Sequence, residues 1–309
     1  MADVPNYFEG DVLSDEKLPS FLKGFRVDLL KSQVTKEEIC LFIYECCVLP
    51  PSRDRLFSID NKPGRLKDFE VTLEDMRLVN FEPWSAQLRS ATPEDKKTIS
   101  EICVKNQNLG LIENSHSEYT APVILVRKST GRHQIACCLT ELNKRTLKDS
   151  YPLPLLQDNL NSLAGAKFLS SVDVCGAYLS IAIAENCRDY FSFITHCGLY
   201  RWKVLPYGFK NSGPIFLRIM DRILRGLQYQ ILVLYADDGC IFGCKTFRDH
   251  LRCLNVVFNR IQESGLCIPI SKCFLFMQEL IYLGFKVSPG GIQPCQKNVE
   301  TITCCTFED

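Results

Sequence analysis

The run Ile231-Leu232-Val233-Leu234-Tyr235-Ala236-Asp237-Asp238-Gly239-Cys240-Ile241-Phe242 leaves a folding chain few choices. An apolar segment leads into two adjacent carboxylates, and a second apolar segment leads away. Apolar runs of this length around a polar pair predict two strands of a tight hairpin with the aspartates at its tip. Like charges side by side repel, and each raises the other's pKa. A fold accepts that cost most readily where a cation sits between them, and oxygen-only ligands suit a hard ion such as magnesium. Asp and Gly are also ordinary turn residues, so a solvated hairpin turn fits this stretch, taken alone, equally well.

The rest of the composition narrows the field by exclusion. The 309 residues suffice for one or two domains with a real core. Thirty-six basic and 36 acidic side chains cancel, so any signal for nucleic acid is local. It occurs twice, in Arg127, Lys128, Arg132, Lys144, Arg145 and Lys148, and again in Arg201, Lys203, Lys210, Arg218, Arg222 and Arg225. A solvated surface is the plain alternative for each. Seventeen cysteines stand against four histidines, with no C-x-x-C pair and no zinc spacing. Most cysteines read as small buried hydrophobes in a reducing compartment. The N-terminus is acidic without an apolar core segment, and no run reaches transmembrane length. The expectation is an intracellular chain with no signal peptide and no membrane partner.

Along the chain, residues 1–67 form an N-terminal region of unassigned role, and 68–309 read as one functional domain. Thr35-x-x-Glu38 is a capping box ahead of Ile39, Phe42, Ile43 and Cys46 at helical spacing. Phe69–Leu73 alternates like a strand. Thr92-Pro93-Glu94-Asp95 opens a helix that Gly110 closes. Pro122–Val126 and Gln134–Leu139 predict a basic hairpin. Phe168–Val174 predicts a strand ending at Asp173, and Tyr190–Ile194 with Tyr200–Leu205 a second hairpin. Asn211 or Ser212 opens a helix on which Arg218, Arg222 and Arg225 share a face toward a phosphate backbone or toward water. Thr246 caps a helix that Gly265 ends. Strands follow at Cys273–Phe276 and Ile281–Val287. Strands and helices alternating without Gly-rich βα turns predict an α+β sheet backed by helices.

Asp173 at a strand end and Asp237-Asp238 at a hairpin tip can meet on one sheet. Three carboxylates there could hold two metal ions, one activating an attacking hydroxyl and the other steadying a leaving phosphate.

From about Phe69 to Ile302 the chain resembles the reverse transcriptase domain of gypsy-type long-terminal-repeat retrotransposons, with retroviral enzymes as more distant relatives. The motifs run in family order: Pro122-Val123-Ile124-Leu125-Val126-Arg127-Lys128, Leu142-Asn143-Lys144-Arg145-Thr146, Tyr151-Pro152-Leu153-Pro154, and Ser171-Val172-Asp173-Val174 with Tyr178. Leu205-Pro206-Tyr207-Gly208-Phe209-Lys210-Asn211, Tyr235-Ala236-Asp237-Asp238, Ser271-Lys272-Cys273-Phe274 and Tyr282-Leu283-Gly284 follow.

The resemblance implies a right-hand polymerase with fingers, palm and a partial thumb. It would use deoxynucleoside triphosphates and a primed RNA or DNA template. It implies that Asp173, Asp237 and Asp238 hold two magnesium ions, with the Val174 carbonyl as a further ligand and manganese as an alternative ion. Arg127, Lys128 and Arg132 would face the triphosphate. Tyr178 would sit under the sugar, Tyr207 near nucleotide or template, and Lys272 where pyrophosphate takes a proton. Tyr282, Leu283, Gly284 and Phe285 would form the primer grip. Four positions depart from the family pattern: His133 and Gln134 stand where an aromatic and then an arginine are usual, and Cys138 and Thr140 near where an Asp and an Arg are usual. No protease D-[ST]-G occurs, and RNase H and integrase regions are missing, as in a fragment of a Pol polyprotein. A catalytically decayed remnant that binds nucleic acid or protein is the alternative reading.

Overall fold

The computed structural model describes residues 8–9, 12–14, 35–44, 56–58, 62–127, 131, 133–243, 245–269 and 272–296. The chain divides into two compact units. One combines Met1–Gly64, Leu153–Cys175 and Met220–Asp309; the other combines Arg65–Pro152 and Gly176–Ile219.

The first unit is built on a four-stranded antiparallel sheet in the order Leu232–Tyr235, Asp238–Ile241, Leu169–Asp173, Phe274–Met277. Leu232, Val233 and Leu234 are all buried, as a strand covered on both faces requires. Leu160 and Leu163 of the helix Leu156–Leu163 pack with Leu169, Val233, Cys240 and Phe242. The long helix Phe247–Ser264 begins as its sequence predicts, with the Thr246 side chain accepting from the Asp249 N–H. Gly265 ends it at a φ of 85°, a conformation that needs no Cβ. A three-stranded meander, Leu280–Tyr282, Phe285–Ser288 and Gly291–Pro294, completes this unit's C-terminal part.

The described residues 35–44 and 56–58 belong to the same core. Thr35 and Glu38 form the expected capping box. The stripe it introduces is buried, and the Phe42 ring meets the edge of Phe276 at 5.0 Å. Phe57–Ser58 pairs in parallel with Ile268–Pro269, and the Phe57 and Phe258 rings lie 5.4 Å apart. Cys46 lies outside the described residues.

The second unit carries a mixed five-stranded sheet ordered Ile112–Asn114, Gly198–Trp202, Ser192–Thr195, Ala121–Arg127, His133–Cys137. The helix Pro93–Asn108, capped by Thr92, belongs to it. Arg201 bonds to Glu113, Glu185 and Asp189 at 2.6–2.9 Å, and Arg188 and Lys203 join the same acidic group. This network accounts for Arg201 and Lys203 without an external anion.

The α+β expectation holds, and two strand readings need correction. Phe69–Leu73 is a strand only at Glu70–Val71. Thr72 and Asp75 cap each other reciprocally and turn the chain into the short helix Leu73–Met76. A local capping box there outweighs the alternation of a five-residue window. Ile281–Val287 is two strands rather than one, because Leu283 and Gly284 both take positive φ, 49° and 82°. Two such residues make a tight hairpin, and a leucine in that conformation gives no warning in the sequence. Among the described residues, no helix is long and apolar enough to cross a membrane.

Candidate active site

The antiparallel register places Asp173 directly opposite Asp238. Tyr235 pairs with Asp238, so Ala236 and Asp237 form the two-residue turn between them. Ala236 pays for that turn with a φ of 55°. The Val174 N–H donates to the Asp237 carbonyl at 3.3 Å, fastening the strand end to the turn. Two residues more than sixty positions apart are neighbours because sheet pairing, not chain order, sets distance at this edge.

Partial desolvation raises the pKa of both Asp173 and Asp238 above the usual carboxylate range. The other two aspartates push Asp238 up further, and Asp237 does the same to Asp173. The Lys272 ammonium bonds to the Asp173 carboxylate and acts in the opposite direction on it. That bond also raises the pKa of Lys272 itself. Repelling, partly desolvated oxygen donors are the donor set that a hard divalent cation stabilises. Among the described residues, however, no group of three or more Asp, Glu, His or Cys side chains is arranged to hold a metal ion. The expected convergence is therefore two register partners with the third aspartate in the adjoining turn, not a closed ligand set. Asp173 already has an ammonium as its counter-charge.

Two further side chains fix this edge. The buried Tyr282 donates its hydroxyl to the Asp238 carbonyl at 3.2 Å, which joins the Tyr282–Phe285 hairpin to the strand Asp238–Ile241. The Asn159 amide donates to the Leu234 carbonyl at 3.1 Å, one residue before Tyr235. Sequence reasoning missed Asn159, since an asparagine within a short helix carries no signal for a partner on a distant strand. Beneath the sheet, Ser170 and His250 share a 2.7 Å hydrogen bond, and Ser170 also accepts from the Phe276 N–H.

Within the second unit, Tyr178 and Tyr207 come together, their rings 5.4 Å apart and edge to face. Tyr178 meets Phe216 as well, at 5.9 Å. Arg127 is exposed at a strand end opposite His133. Lys128 and Arg132 lie outside the described residues. Gln134 pairs with Val126 on the basic hairpin. Cys138 and Thr140 do meet, but as a thiol and a hydroxyl at 3.4 Å. Arg218 bonds to Asp149 at 2.6 Å and stacks on Tyr151, so its charge is taken up within the protein, and Arg222 is exposed; the expected three-arginine face fails at Arg225, because the helix ends at Ile223 and Arg225 lies exposed in the turn after it.

A palm-like sheet edge with paired aspartates defines a nucleotidyl-transfer polymerase fold. The family model described as reverse transcriptase (RNA-dependent DNA polymerase) matches residues 126–287, and the chain belongs to that family. Enzymes of this family generally use divalent metal ions. The chain is 29% identical over 289 residues to the retrovirus-related Pol polyprotein from transposon 412 of Drosophila melanogaster, covering 92% of this chain and 22% of the relative. It is 31% identical over 199 residues to the corresponding polyprotein from transposon gypsy of the same fly, covering 62% of this chain and 19% of that one. The chain thus spans about a fifth of the length of these curated relatives. A foamy viral protease-reverse transcriptase solved in complex with double-stranded DNA superimposes with a TM-score of 0.79 at 20% identity, over 93% of this chain and 49% of that one. At that identity the likeness establishes the fold.

Proposed function

We propose that this chain is the polymerase part of a reverse transcriptase from a retrotransposon Pol polyprotein. It extends a primer on an RNA or DNA template with deoxynucleoside triphosphates. The observation that carries the reading is the cross-strand pairing of Asp173 with Asp238, with Asp237 in the adjoining turn. Asp173, Asp237 and Asp238 would hold two magnesium ions, or manganese in their place, with the Val174 carbonyl as a further ligand. Bound there, the ions supply a more acidic attacking hydroxyl and charge neutralisation on the leaving phosphate.

The chain's own side chains do the rest. Lys272 keeps a proton beside Asp173, where departing pyrophosphate needs one. Arg127, Lys128 and Arg132 neutralise the triphosphate. Tyr178, braced by Tyr207 and Phe216, excludes a 2′-hydroxyl, and Tyr207 lies along the nucleotide or template. Tyr282, Leu283, Gly284 and Phe285 grip the primer, and the Tyr282 bond to Asp238 sets that grip relative to the catalytic strand. The support for the Arg127, Lys128, Arg132, Tyr178 and Tyr207 roles is the order of the motifs. Two foamy viral relatives, one solved with double-stranded DNA and one with an RNA/DNA hybrid, support a nucleic-acid partner. Residues 68–309 are the proposed reverse transcriptase domain, working inside the cell, and residues 1–67 precede it.

Gln134 and the neutral Cys138–Thr140 contact favour a second reading, a decayed polymerase that binds nucleic acid without extending it. Primer extension on an RNA template separates the two. The parent extends the primer and Asp237→Asn does not. A parent that binds the primed template and never extends it overturns the first reading in favour of the second.

A further inference from the structure

A cavity in the second unit lies between the start of the helix Pro93–Asn108, the hairpin of Ala121–Arg127 with His133–Cys137, and the turn after Ser192–Thr195. Its volume is about 420 Å³, within the roughly 300–1,000 Å³ usual for small-molecule sites. Arg89, Lys96, His133 and His196 line it. All four are exposed, and among the described residues none has a carboxylate partner. Arg89 and His196 make their contacts to sulfur instead, Cys138 at 3.9 Å and Cys197 at 3.3 Å. The carboxylate in the lining, that of Asp95, is engaged by the helix cap, where it accepts from the Thr92 hydroxyl at 2.8 Å. The contrast is with Arg201 and Lys203, whose network closes on the protein's own acids. Register separates the cavity from the proposed triphosphate contact. Side chains alternate along a strand. His133 lines the cavity, so its neighbour Gln134 stands on the other face of the hairpin. Arg127 lines the cavity as well. The polymerase reading gives that residue to the triphosphate, so the decisive variants are at other positions.

We propose that this cavity is a second ligand site, which takes a nucleoside polyphosphate on the face of the hairpin opposite Gln134. Phosphate oxygens are met best by several donors at once, and a guanidinium, an ammonium and two imidazoles supply them. Leu88, Ile99 and Leu125 give the same cavity an apolar wall, and Leu88 is 49% exposed. A bare polyphosphate leaves that wall wet, whereas a nucleoside covers it with its base. The occupant is therefore amphipathic, with two or more phosphates and one flat ring. A nucleic-acid strand spaces its phosphates along a track and calls for a groove that follows it. Here the cations surround one hollow, which suits a compact ligand. The side chains themselves neutralise the phosphates, so binding proceeds without a divalent ion.

The test is equilibrium dialysis of the full chain against radiolabelled ADP with EDTA present. Saturable uptake of one ADP per chain is expected. Arg89→Ala and Lys96→Ala should each weaken it by about tenfold or more, because each removes a charge-assisted bond to phosphate. Both residues are exposed, so neither change threatens the fold. Asp237→Asn should bind ADP like the parent. Tripolyphosphate should compete about tenfold less well than ADP, since it leaves the apolar wall uncovered. Absence of saturable uptake overturns the inference, and so does uptake unchanged by Arg89→Ala and Lys96→Ala. Uptake that requires magnesium, or that disappears in Asp237→Asn, belongs to a polymerase nucleotide site and overturns it too. Tripolyphosphate competing as well as ADP would leave a bare anion surface, and a DNA single strand competing better than ADP would make the cavity part of a nucleic-acid track; either result overturns the proposal. Primer extension enters none of these measurements, so the site stands or falls apart from the polymerase reading.

Discussion

His250 is fully buried against Ser170 and Phe276, with Nδ1 unpartnered among the described residues, and burial lowers its pKa from 6.5 to about 4. The unfolded chain takes up a proton below about 6.5, and the native fold resists until about 4. Stability from the neutral ring is therefore intact above the upper value and lost progressively as pH falls toward the lower one. Between pH 7 and pH 5 the loss amounts to roughly 2 kcal/mol. Urea unfolding at the two pH values checks it: His250→Leu should show a smaller drop than the parent, and equal drops would assign the acid sensitivity to other groups. Tyr282 offers a second single-residue test. Tyr282→Phe keeps the ring and removes the hydrogen bond to Asp238, which should cost about 1 kcal/mol in urea. If that bond sets the primer grip, the same change lowers kcat for primer extension and leaves the nucleotide KM nearly unchanged.

At the scale of elements, the hairpin around Asp237 was legible because an apolar–acidic–apolar run admits few structures, and the helices because Thr35, Thr92, Thr246 and Gly265 mark their ends. The pairing of Asp173 with Asp238 was legible only as an expectation, since register is a long-range property. Illegible were the Leu283 turn, where a leucine takes a glycine-like conformation, and the Asn159 and His250 contacts, which depend on sheet order. The strand Asp238–Ile241 also holds a glycine without a conformational need for one. Gly239 has no positive φ, and an added methyl would lie 3.1 Å from Val172 Cγ2 and 3.5–3.6 Å from Leu232 and Leu234. The tightest neighbour is a side-chain methyl rather than backbone. Gly239→Ala should therefore stabilise the chain by about 1 kcal/mol through lower unfolded-state entropy and added burial. A lower urea midpoint would mean that Val172 is wedged in place.

For the whole molecule, the proposed polymerase reading turns on how well the chain uses nucleotides. An arginine fork on a triphosphate makes charge-assisted hydrogen bonds of roughly 1.5–3 kcal/mol, and Gln134 on the basic hairpin supplies none. Gln134→Arg should improve primer extension by about ten- to a hundredfold at limiting nucleotide, read from the concentration dependence of the rate. A variant no better than the parent would point to Arg127 or Arg132 as the group already in that role. The division into units has a bearing on synthesis as well. The unit that carries the aspartates is assembled from three separated stretches, the first ending at Gly64 and the last beginning at Met220. On the ribosome, Phe42 and Phe57 emerge long before their partners Phe276 and Phe258 exist. The unit that holds the whole five-stranded sheet is complete in sequence by Ile219. The unit with Asp173, Asp237 and Asp238 must therefore close last, through contacts of high sequence separation, and until then it offers sticky aromatic surface. Yield from a cell should depend on translation speed and chaperone supply more than the stability of the finished fold would suggest.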